Sequence, residues 1–379
     1  MRQDKDNNHK IIDNNVNERD LHGGQNLKSR KSPMKSAEQI SILRTGCLVL
    51  LVTTFLLAML CIYFAIKING MAPKVSEDEQ NVEILYTQEQ VDELVLSASE
   101  NAARKGAEDF REYVKYCVTE KVGTSEMLRQ LFPEYIVYPG GGSYIFAEIS
   151  KDIPANEIDD ADFRTMDNGI KVYEPDGVSA SKVCIDVSQH NGTIDWNKVA
   201  ESGLVDYVMV RVGFRGYGSG KLVLDEQFEN NVKGAISVGL PVGVYFFSQA
   251  VSESEIEEEF DFVMQAIAPY NVTGPIAIDI ERVDDSEARG NLISKEERTH
   301  LVDMFCKMVS EKNYSPMLYG NTYSIFEMLD MKQLSSYDVW YAFYESYLYY
   351  PYIVKMWQYS AAFNIPGIDE KVDMNIMFE

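Results

Sequence analysis

Cysteine and histidine are scarce in this chain of 379 residues, which has five of the first and four of the second. Cys47 and Cys61 fall in one long apolar run. The remaining three, Cys117, Cys184 and Cys306, cannot all pair within one chain, so the fold is not a disulfide framework. Beyond that run the histidines are His190 and His300, and no Cys/His spacing of a zinc site occurs, so no metal or other cofactor is expected. Positive charge is short as well. The formal net charge is −24, and residues 1–45 hold nine Lys/Arg against six Asp/Glu, which leaves −27 on the rest and argues against nucleic acid as a partner. Two catalytic signatures are also missing. GYGSGKL at 216–222 lacks both the spacing of a phosphate loop and a hydroxyl residue after Lys221, and reads as a surface turn. No G-x-S-x-G accompanies Ser188 and His190, which lie too close to Asp186 along one strand to form a triad with it.

What is present begins with 46–66, GCLVLLVTTFLLAMLCIYFAI, 21 positions without a charge. That length matches the roughly 20 residues a helix needs to cross a bilayer. The long polar stretch before it and the lack of a small-residue cleavage pattern after it favour an uncleaved transmembrane helix over a signal peptide. Lys28, Arg30, Lys31, Lys35 and Arg44 precede it, whereas Glu77, Asp78 and Glu79 follow. The positive-inside bias therefore puts residues 1–45, a tail too poor in apolar residues to fold, in the cytoplasm and everything from Lys67 onward outside. Residues 67–180 read as an extracytoplasmic stalk and small linker region. Within it, 87–131 repeats apolar residues at three- and four-residue steps, Val91, Leu94, Val95 and Ala98 among them, and IVYPGGGSYIFAEI suggests a hairpin.

At Val183 the periodicity changes. Strand-like runs VCIDVS, DYVMVRVG, PVGVYFFS, PIAIDIE and PMLYGN alternate with helical patterns, and DVWYAF, VKMWQYS and EKVDMNI follow with little room for helices. The expected fold class is α/β, an irregular barrel of five β/α units and three further strands over 181–379, preceded by the transmembrane helix and the helical stalk. In GPIAIDIER, residues 274–282, Asp279 and Glu281 interrupt an otherwise apolar strand. Two residues apart, their side chains share one face with Cα atoms roughly 6.5 Å apart. Acids at the end of a buried parallel strand stand where α/β barrels place their chemistry. Like charges so placed raise one another's pKa, which suits a proton donor. Arg211, if it points inward, reads as the partner of a strand-end acid, and Asp195 in TIDW as a helix cap.

Taken in order, VCIDVSQHNGTIDW, YVMVRVGFRGYG, GLPVGVYFFS, PIAIDIE, MLYGN, WYAFY, MWQYS and VDMNIMF resemble the successive motifs of glycoside hydrolase family 25 lysozymes. The resemblance covers about residues 181–379 and suggests a membrane-anchored bacterial form. It implies an irregular β/α barrel that cleaves the β-1,4 bond between N-acetylmuramic acid and N-acetylglucosamine, with peptidoglycan glycan strands as its partner. It also implies catalytic roles for Glu281 as proton donor, for Asp279, for the first-strand acid Asp186 and for the last-strand acid Asp373. Asp279 would orient the substrate's acetamido group or, by the other route, act as a covalent nucleophile. Tyr245, Tyr319, Tyr344 and Trp357 are the aromatic candidates for lining the sugar cleft. Asn191 and Phe246 depart from residues frequent in the family. Two other readings remain open: an inactive barrel that binds wall glycan, and a glycosidase acting on N-acetylglucosamine polymers.

Overall fold

The computed structural model describes residues 87–379, together with Thr54 and Met59. Of these, 110–379 fall in one compact unit and the earlier ones in another. The apolar run at 46–66 lies outside the described residues apart from those two positions. Among the described residues, no helix is long and apolar enough to cross a membrane.

Helix α1, Gln88–Thr119, realises the three- and four-residue apolar repeat. Over 88–109 it is exposed at every position, Leu94, Val95 and Leu96 included. The helix ends well before residue 131. Lys121 takes a left-handed backbone conformation with φ of 56°, and Gly123 precedes a separate helix α2, Thr124–Leu131. Strands β1, Tyr135–Gly140, and β2, Ser143–Glu148, form the expected hairpin. Gly141 and Gly142 turn it with φ of 58° and 79°, values that glycine adopts without strain. A second hairpin, β3 (Phe163–Thr165) and β4 (Lys171–Tyr173), follows. Both lie on the barrel flank, and the apolar residues of 132–180, such as Ile136, Tyr138, Ile153 and Ile170, belong to the main core.

The barrel starts with β5, Ser181–Val187, and continues through β6 (Tyr207–Arg215), the short β7 (Leu222–Leu224), β8 (Val242–Phe247), β9 (Ile276–Asp279), β10 (Pro316–Asn321), β11 (Asp338–Ala342), β12 (Met356–Phe363) and β13 (Val372–Phe378). Strands β5, β6, β8, β9, β10, β11 and β12 pair parallel in that order. β13 runs antiparallel to both β12 and β5 and so closes eight strands, while β7 only lengthens the edge of β6. Helices α3 (Trp196–Ser202), α4 (Phe228–Ser237), α5 (Glu253–Ile267), α6 (Lys295–Glu311) and α7 (Met331–Leu334) follow β5, β7, β8, β9 and β10. This is the five-plus-three pattern expected from the spacing. Asp195 caps α3 by accepting from the Lys198 backbone N–H.

Alternation along each strand divides the side chains into two layers. Outward residues such as Val183, Ile185, Val208, Val210, Ile276 and Ile278 pack beneath the helices. Inward ones, including Cys184, Met209, Ala277, Met317, Trp340 and Met356, form a second cluster that fills the barrel. The polar members of the inward layer stand at one end.

Candidate active site

Asp186 is the penultimate residue of β5 and Asp279 the last of β9, with Glu281 two positions beyond. Because β13 is antiparallel to its neighbours, its N-terminal residue pair brings Asp373 to the same end, directly opposite Asp186 in the ladder. The structure therefore gathers all four acids at the mouth formed by the C-terminal ends of the parallel strands, where barrel enzymes act.

The acids form two pairs. Asp279 is buried and hydrogen-bonded to Glu281. Burial first, and then the charge of Glu281, push the Asp279 carboxyl well above the usual carboxylate range, while Arg211 pulls it down. Burial and the neighbouring charge together favour the protonated form of Asp279 beside Glu281. Oδ1 of Asp279 is buried without a hydrogen-bond partner. In the second pair Asp186 is hydrogen-bonded to Asp373. Burial raises Asp186, and hydrogen bonds from Asn375, Gln358 and Asp373 oppose the rise. Arg211, from β6, binds Asp225 at 2.7 Å through Nε and leaves Nη2 buried and unpartnered beside the acids.

Three of the four aromatic candidates face inward. Tyr245 meets the edge of Trp340 at 5.6 Å between ring centroids, and Tyr319 meets it at 4.6 Å. Tyr344, two residues beyond β11, is 41% exposed and turns its hydroxyl in to Gln358 Oε1 at 2.6 Å. Trp357 is not part of this group. It is fully buried on the outer layer, its Nε1 donates to the Phe343 carbonyl, and Phe163 packs on it at 5.2 Å. The reason is alternation: in MWQYS, Met356 and Gln358 point inward, so Trp357 points out.

The site also holds residues that the motifs did not single out. Gln358 Nε2 and Asn375 Nδ2 each donate to Asp186 Oδ2 at 2.8 Å. Trp340 Nε1 donates to Asn375 Oδ1 at 2.7 Å. The inward parity that places Asp373 also places Asn375, and the parity that places Met356 places Gln358, so strand period was the available signal. Among the described residues, no group of three or more His, Cys, Asp or Glu could hold a metal ion.

Residues 185–368 match the model of the family described as Glycosyl hydrolases family 25. The chain carries a glycosyl hydrolase family 25 domain. The matched segment runs from the middle of β5 almost to β13, and the domain makes the chain a glycoside hydrolase. No curated protein sequence matches the chain. Similar solved structures include the modular autolysin LytC of Streptococcus pneumoniae in complex with a synthetic peptidoglycan ligand, at 23% identity and a TM-score of 0.49, covering 57% of this chain and 52% of that one. A family 25 glycosyl hydrolase from Bacillus anthracis is 19% identical with a TM-score of 0.44, covering 53% and 90%. The bacterial lysozyme of Streptomyces coelicolor is 20% identical with a TM-score of 0.42, covering 52% and 92%. This chain thus spans about half the length of the autolysin. Asp373 lies outside the segment that matches the family 25 model, and its place in the site rests on the β13 to β5 pairing.

Proposed function

We propose that this family 25 domain cleaves the β-1,4 bond between N-acetylmuramic acid and N-acetylglucosamine in peptidoglycan. The observation that carries the reading is the Asp279 and Glu281 pair at the barrel mouth, in which Asp279 is buried at the end of β9 and its carboxyl is held above the usual range by burial and by the charge of Glu281. Hydrolysis needs a proton for the departing oxygen and stabilisation of positive charge at the anomeric carbon. Glu281 delivers a proton to the glycosidic oxygen as the C1–O bond breaks. The acetamido carbonyl oxygen then closes on C1, and water, giving its proton to Glu281, opens the ring so formed. Asp279 serves that step through Oδ1, a buried acceptor free to take the acetamido N–H and hold the group in line. An inactive glycan-binding barrel would have no use for a protonated carboxyl at its mouth.

Mass analysis of fragments released from purified peptidoglycan by the full chain tests the reading. New reducing ends on N-acetylmuramic acid are expected. Reducing ends on N-acetylglucosamine, or no release, would overturn it.

The proposal extends to place. The uncharged run at 46–66, with basic residues before it and acidic residues after it, supports a single membrane anchor with the N-terminus inside and the barrel outside. Protease added to cells stripped of their wall should remove the barrel and leave a small membrane-bound N-terminal fragment. A barrel free in the culture medium, beginning just after residue 66, would show a cleaved signal instead.

A further inference from the structure

We propose that Gln358 is a positioning residue that holds Asp186 in its ionised form, and that Tyr344 connects this hold to the cleft mouth. The inference rests on the glycosidase reading for its catalytic consequence but not for its geometry. Asp186 and Asp373 face each other across the strands that close the barrel. Whether Asp186 is ionised is decided by the groups that donate to it.

Asn375 is the fixed reference. Trp340 Nε1 can only donate, so Asn375 Oδ1 must face it and Nδ2 must face Asp186 Oδ2. Gln358 supplies the second donor to the same oxygen. Its orientation is set differently, because its Oε1 accepts from two phenols, Tyr319 at 2.8 Å and Tyr344 at 2.6 Å, and a phenol can donate or accept. Turning the amide over would aim Oε1 at Asp186 Oδ2. Two acceptors at that separation are tolerated only if Asp186 takes a proton. The orientation of Gln358 and the ionisation of Asp186 therefore change together. Of the groups that bind Gln358, Tyr319 and Asp186 are buried and Tyr344 is exposed at the rim, so a sugar resting on Tyr344 acts on Asp186 through this amide. The other ionisable groups facing Asp186 are Asp373 from β13, Asp279 from β9, Cys184 from its own strand, and the phenols of Tyr245, Tyr319 and Tyr344.

The test uses the full chain with Gln358→Met, Gln358→Glu and Tyr344→Phe, each checked for an unchanged melting transition. Loss of a hydrogen bond to a charged group should lower kcat of Gln358→Met by about 10- to 100-fold, with KM little changed. Gln358→Glu can donate to Asp186 only when protonated, so its activity optimum should move to lower pH. Tyr344→Phe should give a smaller loss in the same direction. Carbon-13 titration of the Asp186 carboxyl provides a readout that needs no substrate: in Gln358→Met it should titrate at higher pH than in the parent, because a donor to the charged form is gone. An unchanged Asp186 titration in folded Gln358→Met would overturn the proposal, as would a Gln358→Glu loss that is the same at every pH. If the parent releases no peptidoglycan fragments, the glycosidase reading fails, and the carboxyl titration still decides the role of Gln358.

Discussion

Two flanks of the barrel are covered by different means. Strands from β5 to β10 are clad by α3 to α7, each supplied by the connection that leads to the next strand. Strands β11 to β13 have no such helices, and their outer faces are covered by residues 124–180, which precede the barrel in sequence. Phe163 packs on Trp357 and Phe378, Tyr173 on Phe378, and Lys171 stands over the Trp357 ring at 4.9 Å. The tyrosine-rich connection from β11 to β12 is pinned by the same segment: Tyr349 accepts from the Val137 N–H, Tyr352 from the Ser150 N–H, and Asn156 donates to the Tyr350 carbonyl. Open apolar sheet must be covered by something, and a chain that omits helices from one arc has to bring cover from elsewhere. The interior does not record the difference. Asp279 and Glu281 come from the helix-clad side, Gln358 and Asp373 from the other, and Asp186 stands at the seam.

Deleting residues 124–180 is the strongest way to break this comparison. It would expose Trp357, Tyr350, Tyr352 and Phe378 together, and the expected outcome is loss of soluble, cooperatively folding protein, read by circular dichroism and gel filtration. A barrel of 181–379 that melts like the full chain would show that the cover is dispensable. Next in size, Glu281→Gln should leave the melting transition in place and lower turnover by about 10²-fold or more, the usual loss for a general acid. Turnover close to the parent's would remove Glu281 from that role. Arg129→Ala probes the cover at one point. Arg129 lies over the rings of Phe343 and Tyr349 at 5.1 and 4.5 Å and donates to Tyr347 and to the Val137 carbonyl. Its removal should cost about 1–3 kcal/mol of stability in urea unfolding, without a change in kcat.

The same contrast explains what the sequence made legible. On the helix-clad side each unit is local, so PIAIDIE reads as a buried strand and the helical pattern after it reads as its own cover. The D-x-E spacing then needs nothing but strand alternation to place both acids on one face. On the other side the cover comes from 188 to 218 positions away, as the pairing of Lys171 with Tyr359 and of Arg129 with Tyr347 illustrates. No periodicity within 132–180 states what it will pack against, and for that reason its role is not readable in the sequence. Trp357 shows the limit within a strand. Its ring chemistry suits a sugar face, but the parity that sends Gln358 inward sends Trp357 under Phe163. Side-chain type proposed a site residue there, and strand period excluded it.

The two flanks also differ in how they hold charge, and this gives the smallest and most specific test. Cover on the helix-free side sets cations over rings, Arg129 over Phe343 and Tyr349 and Lys171 over Trp357, whereas the helix-clad side buries an ion pair: Arg215, 2% exposed, donates through Nε to Glu259 Oε1 at 2.7 Å, and through its other nitrogens to the Gly220 and Glu255 carbonyls and to Glu258. Burial pushes the Glu259 carboxyl from an ordinary 4.5 up to about 7, against the pull of its hydrogen bonds with Ser248 and Arg215. The sign follows from linkage. Below 4.5 the group is protonated whether or not the chain is folded. Between 4.5 and 7 the unfolded chain has released a proton that the folded chain still holds, so stability falls as pH rises across this window and levels off above it. Glu259→Gln keeps an oxygen for the Arg215 Nε and has nothing to titrate. Its stability relative to the parent should therefore improve steadily from about pH 4.5 to 7 and be constant on either side, as measured by urea midpoints at a series of pH values. A relative stability that does not change across the window would mean that Arg215 keeps Glu259 ionised throughout.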